Sequence, residues 1–394
     1  MKSAYDAVDR HYIWKNLENN SPEPLICLLR NLFDEVQIEV LLNNATSSRF
    51  SPVTGVLQGS ILSPFLYSIY INDLPKPLRP QPIEEDLFPI QLAPFMTCLL
   101  YADDVVLIAD QHQMVSLLKR CEDHSQSLGY RWNPSKCVVL DPTDQSLTCT
   151  LYGDAVPTQP FFSYLGIPFR PGGYLDTFQL LNVNTNKALA TMNQLSAIGL
   201  HPKGFSPLLA VRFYMQIVRA QLEYGLAITK ITSFLTNKFE DAQNTCIRRI
   251  FGGSSRSSTK VMLHLTKLPS MQERAYILQS QFLLRSFTLP EDTLLSHLLC
   301  YTRRSNSHSQ WYALSKSPLW KKCLSHLESL DKRTLKQMQL QFQQDNLCQN
   351  RSSRNSTLLS LCRPIISLDP ILWLPMTRIE RNRCGRWRLG WLSW

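Results

Sequence analysis

Leu99-Leu100-Tyr101-Ala102-Asp103-Asp104-Val105-Val106-Leu107-Ile108 sets two adjacent carboxylates inside an apolar run. The apolar flanks read as two buried strands, and the polar Ala-Asp-Asp reads as the tight connection of a β-hairpin. Two like charges at the edge of a core repel each other and lose hydration, so they persist where cations neutralise them. Carboxylate oxygens are hard donors suited to Mg²⁺ or Mn²⁺, and a pair of such ions roughly 3.5–4 Å apart is the usual device of nucleotidyl transfer. Taken alone, an Asp-Asp pair is an ordinary solvated turn. The apolar flanks and the neighbouring motifs favour the cation-binding reading.

Upstream lies Gly55-Val56-Leu57-Gln58-Gly59-Ser60-Ile61-Leu62-Ser63-Pro64, which leads into an expected helix over Phe65 to Asp73. Two glycines four apart let the backbone approach something closely, and Gln58 between them offers a paired donor and acceptor. Residues 11 to 36 carry helical apolar spacing, with Ser21 as a candidate N-cap and Pro22 as the first helical residue. Val36 to Arg49 reads as extended. Residues 75 to 94 hold six of the 24 prolines and the acidic Glu84-Glu85-Asp86, the composition of a loop.

Downstream, Gln113 to Leu128 is an expected amphipathic helix ended by Gly129. Asn133-Pro134-Ser135-Lys136-Cys137-Val138-Val139-Leu140 reads as a turn entering a strand, followed by short extended pieces at Leu147 to Tyr152 and Phe161 to Phe169. Pro171-Gly172-Gly173 is the first expected domain boundary. Beyond it the pattern is helical at about 175–200, 206–227, 232–251 and 269–287. Residues 301 to 360 are polar, rich in Ser and Gln, and give no clear placement. The stretch from Arg378 to Trp394 interleaves Arg with Trp, which suits nucleic-acid contact by charge and stacking, or an amphipathic packing segment.

The composition is that of a folded protein with room for two or three cores: 394 residues, 44% hydrophobic. No run of about 18 uncharged apolar residues and no signal-like start is present, so an intracellular protein, in nucleus or cytoplasm and without membrane partners, is expected. The 11 cysteines are scattered without a Cys-x-x-Cys pair, which points away from a disulfide framework or a zinc site. The net charge of +10 is unevenly divided. Residues 1 to 170 carry 12 Lys/Arg against 19 Asp/Glu, and the remainder carries 29 against 12. An acidic first part and a strongly basic second fit a metal-binding catalytic module followed by a surface for polyphosphate, although basic helices can also be simple solvated faces.

GVLQGSILSP, LLYADDVVLI, NPSKCVVL and YLGIPF, in this order over residues 55 to 169, resemble the palm of reverse transcriptases, most nearly the non-LTR retrotransposon (LINE-like) type. Arg219-Ala-Gln-Leu-Glu-Tyr224-Gly225 and Asp241 to Ile250 are similar to the helical region that follows the palm in such proteins, so the resemblance covers roughly residues 1 to 290. The resemblance implies an α+β fold. Residues 1–170 would be a truncated palm built on a small antiparallel sheet, 174–290 a thumb-like helical region, and 291–394 a poorly defined basic C-terminal region. It implies an RNA-directed DNA polymerase that joins deoxynucleoside triphosphates to a primer 3′-OH on an RNA template, with two Mg²⁺, or Mn²⁺. Asp103 and Asp104 would be the catalytic metal ligands. Tyr5, Gln58, Gly59 and Lys136 would contact the nucleotide, with Tyr5 as the gate against a ribose 2′-OH. Tyr164, Leu165 and Gly166 would grip the primer.

AYDAVDR at residues 4 to 10 is similar to the tail of the first palm motif, Asp-x-x-x-Ala-Phe/Tyr-Asp-x-Val, and the family's other metal-binding Asp would fall one residue before Met1. Asp6 and Asp9 are out of register with it, and Asp6 is expected instead to cap the following helix. Loss of one shared ligand would cost on the order of a thousandfold in rate, so the 394 residues alone are expected to be nearly inactive. A non-catalytic nucleic-acid-binding remnant and a maturase- or telomerase-like palm are the alternatives.

Overall fold

The structure, a computed structural model, describes residues 4–79, 96–143, 148–305, 308–353 and 357–391. It is α+β: helices combined with small antiparallel sheets of two or three strands. The chain divides into two compact units, Met1–Tyr174 and Leu175–Trp394.

The first unit is organised by helices packed on one apolar core. Helix Arg10–Glu18 turns Ile13, Trp14 and Leu17 inward, and helix Glu23–Asp34 does the same with Ile26, Leu29 and Phe33. Both sets follow the helical spacing that puts one face on the core. Ser21 does not cap the second helix. Pro22 takes the N-cap position without a side-chain bond, because the helix begins one residue later than expected. Helix Ser63–Ile71 carries Leu66, Tyr67 and Tyr70, all essentially buried. Helix Gln111–Leu128 is capped by Asp110, which accepts from Gln113 N at 2.9 Å, and ends on Gly129 in the left-handed conformation (φ 75°) that a residue without a Cβ adopts freely.

Val36 to Arg49 is not one extended run. Leu41–Leu42 and Ala45–Thr46 pair as a hairpin, and Ile38 bridges Phe50. The reversal falls at Asn43 and Asn44, both with positive φ, a conformation Asn tolerates better than other residues with side chains. Pro134–Lys136 is a single helical turn, and Val139 makes one parallel bridge to Thr158 rather than entering a strand. Of the expected proline-rich loop over 75–94, Pro75–Leu78 is a helical turn, and residues 80–95 lie outside the described residues. Leu147, at the start of one expected extended piece, does too.

In the second unit, helices Thr177–Ala197, Pro207–Phe213, Ser233–Phe251 and Met271–Phe287 form the main framework. The stretch expected as one helix over 206–227 changes pitch: Tyr214–Val218 is a π-helical turn before Arg219–Glu223, and Gly225 ends it with φ 78°. The wide turn accommodates Tyr214, fully buried, whose hydroxyl donates to Gln243 Oε1 at 3.0 Å. Thr259–Leu265 is a further helix that the sequence pattern did not disclose. Past residue 290, Lys332–Ser352 and several shorter helices bury Trp311, Leu319, Trp320 and Phe342 against Ile277 and Leu283 of helix Met271–Phe287. The 11 cysteines are all unpaired, and no described helix is long and apolar enough to cross a membrane.

Candidate active site

Cys98–Tyr101 and Asp104–Leu107 pair antiparallel, with Leu100 opposite Val105 and Tyr101 opposite Asp104. Ala102 and Asp103 form the two-residue connection, and Ala102 takes a left-handed backbone (φ 51°). Positive φ at the first central residue lets the turn follow the right-handed twist of its strands, but it is unusual for a residue with a Cβ. The strands are half-buried rather than buried, and among the described residues the sheet has only these two members.

Alternation along the ladder separates the two aspartates. Cys98, Leu100, Val105 and Leu107 pack on the core, so Asp104 stands on the opposite face with Tyr101, and both are exposed. Asp103, at the tip, is half-buried. Among the described residues neither carboxylate accepts a hydrogen bond or joins an ion pair.

The charge of Asp103 reaches Tyr67, whose hydroxyl is pushed well above the usual phenol range by burial first and by that carboxylate second. The Tyr67 ring in turn stacks on Tyr5, with centroids 5.0 Å apart and planes 12° from parallel. Tyr70, the next tyrosine of the cluster, donates to Leu128 O at 2.7 Å, and burial is the main reason its pKa rises to about 12.

Tyr5 is fixed from the backbone. Val56 N donates to Tyr5 O at 2.8 Å and Gly55 N to Val8 O at 2.7 Å. A Cβ on Gly55 would stand 3.0 Å from the carbonyl oxygens of both Tyr5 and Asp6, so the close approach requires glycine, as does its φ of 91°. Gln58 Nε2 donates to Asp6 Oδ1 at 3.0 Å. Asp6 therefore does not cap the following helix. Asp9 does, accepting from His11 N at 2.9 Å, because it is the residue immediately before the first helical turn. Gly59, with φ 94°, has open space where a Cβ would be.

The YLG segment is a second tight hairpin. Tyr164 pairs with Ile167 across Leu165 and Gly166, which have φ of 49° and 74°. Partial burial, and after it the charge of Asp104, raise the Tyr164 hydroxyl. Lys136 is exposed at the end of its helical turn, and no polar contact ties it to either aspartate. The structure thus links Tyr5 to Tyr67 by ring stacking and Gln58 to Asp6 by a hydrogen bond, and among the described residues no hydrogen bond joins Gln58, Tyr164 or Lys136 to Asp103 or Asp104.

Two residues of this framework were missed by sequence reasoning. Tyr67 is the bridge between Tyr5 and Asp103. Arg10 is buried and holds the loop before Gly55: its Nη1 donates to Gly55 O (3.2 Å), its Nη2 to Pro52 O (2.8 Å) and Val53 O (3.1 Å), and its Nε pairs with Asp34 at 2.8 Å. The signal was present, since Arg10 is the first member of the inward series Arg10, Ile13, Trp14, Leu17.

The family model described as "Reverse transcriptase (RNA-dependent DNA polymerase)" matches residues 1–169, which contain all of these elements. Residues 1–169 belong to the reverse transcriptase family. Over 300 residues, 72% of its length, the chain is 22% identical to the RNA-directed DNA polymerase from mobile element jockey of Drosophila melanogaster and covers 31% of that protein. It is 25% identical over 220 residues, 54% of the chain, to the retrovirus-related Pol polyprotein from type-1 retrotransposable element R2 of Popillia japonica, covering 35% of it. It is also 25% identical over 268 residues, 64% of the chain, to the probable RNA-directed DNA polymerase from transposon BS of Drosophila melanogaster, covering 28% of it. A 300-residue match is longer than the first unit, so the likeness continues into the second. The chain spans about a third of the length of these relatives. The resemblance to the non-LTR retrotransposon type, drawn from the four palm motifs, is borne out by these matches.

Proposed function

We propose that the first unit is the palm of an RNA-directed DNA polymerase, in which Asp103 and Asp104 hold the divalent cations of nucleotidyl transfer. The observation that carries this reading is the pair of uncommitted carboxylates at the tip of a strained hairpin. Two hard carboxylate donors fit Mg²⁺ or Mn²⁺, which typically takes one or two protein carboxylates and completes its shell with substrate phosphates and water. Among the described residues no group of three or more His, Cys, Asp or Glu is placed to hold a metal. When bound, such cations would neutralise the charge that develops on the attacking 3′-oxygen and on the leaving pyrophosphate.

The chain's own side chains have separate tasks in this reading. Tyr5, rigid on Tyr67, limits the room beside the sugar. Gln58 and Gly59 lie along the incoming nucleotide, the open space at Gly59 admitting its backbone closely. Lys136 meets the phosphates, and the Tyr164-Leu165-Gly166 turn steadies the primer end. RNA template, DNA primer and deoxynucleoside triphosphates are the partners.

Primer extension on an RNA template with Mg²⁺ tests the proposal. It compares the 394 residues, a form lengthened to carry an aspartate four residues before Ala4, and the lengthened form with Asp103→Ala. The two-carboxylate form is expected to be slower than the lengthened one by a thousandfold or more, and Asp103→Ala to abolish synthesis. Asp103→Cys should recover partial activity with Mn²⁺ but not Mg²⁺, since a thiolate is a soft ligand. RNA binding without synthesis in any form would replace this reading with that of a non-catalytic nucleic-acid-binding protein.

A further inference from the structure

Arg378–Arg388 of the second unit is an 11-residue helix with five arginines, at 378, 381, 383, 386 and 388, and one acid, Glu380. The acid is consumed in the capping box with Thr377: Thr377 N donates to Glu380 Oε2 at 2.8 Å and Glu380 N to Thr377 Oγ1 at 3.3 Å. At its other end Leu389 is buried and Trp391 packs against the core of the unit. The helix is therefore held at both ends, and what it exposes is presented in a fixed arrangement.

Four of the arginines divide into two sets. Arg378 donates to Pro202 O at 3.0 Å, and Arg381 to Ile371 O and Leu374 O at 2.6 and 2.8 Å. These serve the fold, as do Arg351 and Arg363 nearby, which also donate to backbone carbonyls. Arg383 and Arg386 are exposed and make no hydrogen bond or ion pair among the described residues. Trp387, 60% exposed, has the Arg388 guanidinium 5.1 Å from its centroid. Arg383 and Trp387 are four residues apart and so share one face, in line with Ile379, which is 72% exposed.

We infer that the face of this helix bearing Arg383, Arg386 and Trp387 is a contact surface for single-stranded RNA, with the two guanidiniums on phosphates and the indole stacked on a base. The proposal deepens the polymerase reading, on which the choice of RNA rests. Free guanidiniums around an exposed aromatic ring are the combination that binds unpaired strands, where bases are available for stacking. The unit around the helix is strongly basic, with 29 Lys/Arg against 12 Asp/Glu in residues 171–394, which complements a polyanion. A membrane fits less well, because an interfacial helix needs a broad apolar face, and here Arg383 interrupts the two exposed apolar residues.

The test is fluorescence anisotropy of the full chain with a labelled 20-mer of uridylate and with an abasic strand of equal length and charge. Trp387→Ala is expected to weaken binding to the uridylate strand about tenfold and to leave the abasic strand unaffected. Arg383→Gln with Arg386→Gln should lower the slope of log affinity against log salt by about 1.4 on both strands. All three side chains are exposed, so thermal unfolding of these variants should match the parent. Unchanged affinity and slope would overturn the proposal, as would variants that lose binding to phosphatidylserine vesicles while RNA binding stays intact. Asp103→Ala should bind RNA normally and synthesise nothing. If no form polymerises yet Trp387→Ala still loses uridylate binding, the polymerase reading falls and this surface stands.

Discussion

Tyr5 lies flat on Tyr67, ring centroids 5.0 Å apart, and Tyr67 is in turn the aromatic side chain that feels the charge of Asp103. In the polymerase reading proposed above, this stack is one wall of the nucleotide space. In the proposed polymerase, Tyr5→Ala removes that wall and is expected to raise incorporation of ribonucleotides relative to deoxyribonucleotides by tenfold or more, as the loss of a steric exclusion does. Single-nucleotide extension with matched ribo- and deoxyribonucleoside triphosphates measures the ratio, and an unaltered ratio would remove the gate role from Tyr5.

Gly55→Ala should be more damaging than its size suggests. The new methyl group meets two backbone carbonyl oxygens at 3.0 Å, and the position has φ 91°. A cost of about 1–3 kcal/mol is expected from strain, read as a lower urea midpoint. The displaced segment carries Tyr5, so nucleotide selection should loosen in the same variant.

Arg10→Ala withdraws a buried guanidinium from three carbonyls and from Asp34. Because Asp34 is partly exposed and can rehydrate, the expected loss is about 3 kcal/mol, at the lower end of what breaking a buried pair costs. Arg10→Lys should recover only part of it, since an ammonium cannot span the same carbonyls as the planar fork. Chemical denaturation of the three forms orders them.

Gln58→Ala separates structure from function in the glycine loop. Its single described contact is the 3.0 Å bond to Asp6, at an exposed site. Stability should therefore change by less than about 0.5 kcal/mol, while KM for the incoming nucleotide rises in steady-state extension. A fall in stability with unaltered KM would make Gln58 a structural residue.

Acid should weaken the fold through His124. Burial holds its imidazole below the ordinary value near 6.5, partly offset by Asp73, and Nδ1 lies 2.9 Å from the Tyr130 hydroxyl. The folded state resists a proton that the unfolded chain accepts, so the contribution is present above pH 6.5 and declines as pH falls through 6.5 toward the lower folded value. His264 is shifted the same way by burial. With allowance for partial exposure, His124→Gln should flatten the stability–pH curve between pH 7 and 5 by a few tenths of a kcal/mol per pH unit.

Sequence by itself determined many of the local elements and pointed to the family. The run around Asp103 and Asp104 has a strand pattern broken by a turn, and it folds as a hairpin. Gly129 stops a helix because only a residue without a Cβ takes its conformation easily. The helices over 177–197, 233–251 and 271–287 follow from apolar periodicity and caps. Tertiary structure decided which polar groups are spent on one another. Gln58 reaches Asp6 across 52 positions, and Arg10 reaches Gly55 across 45. In the last helix, five arginines that look alike in sequence divide into two bound to carbonyls, two left in solvent and one, Arg388, over the Trp387 ring. Periodicity reports which face of an element turns inward, because that depends only on neighbours along the chain. A hydrogen-bond partner depends on where a distant segment comes to lie, and nothing in the local pattern encodes that distance.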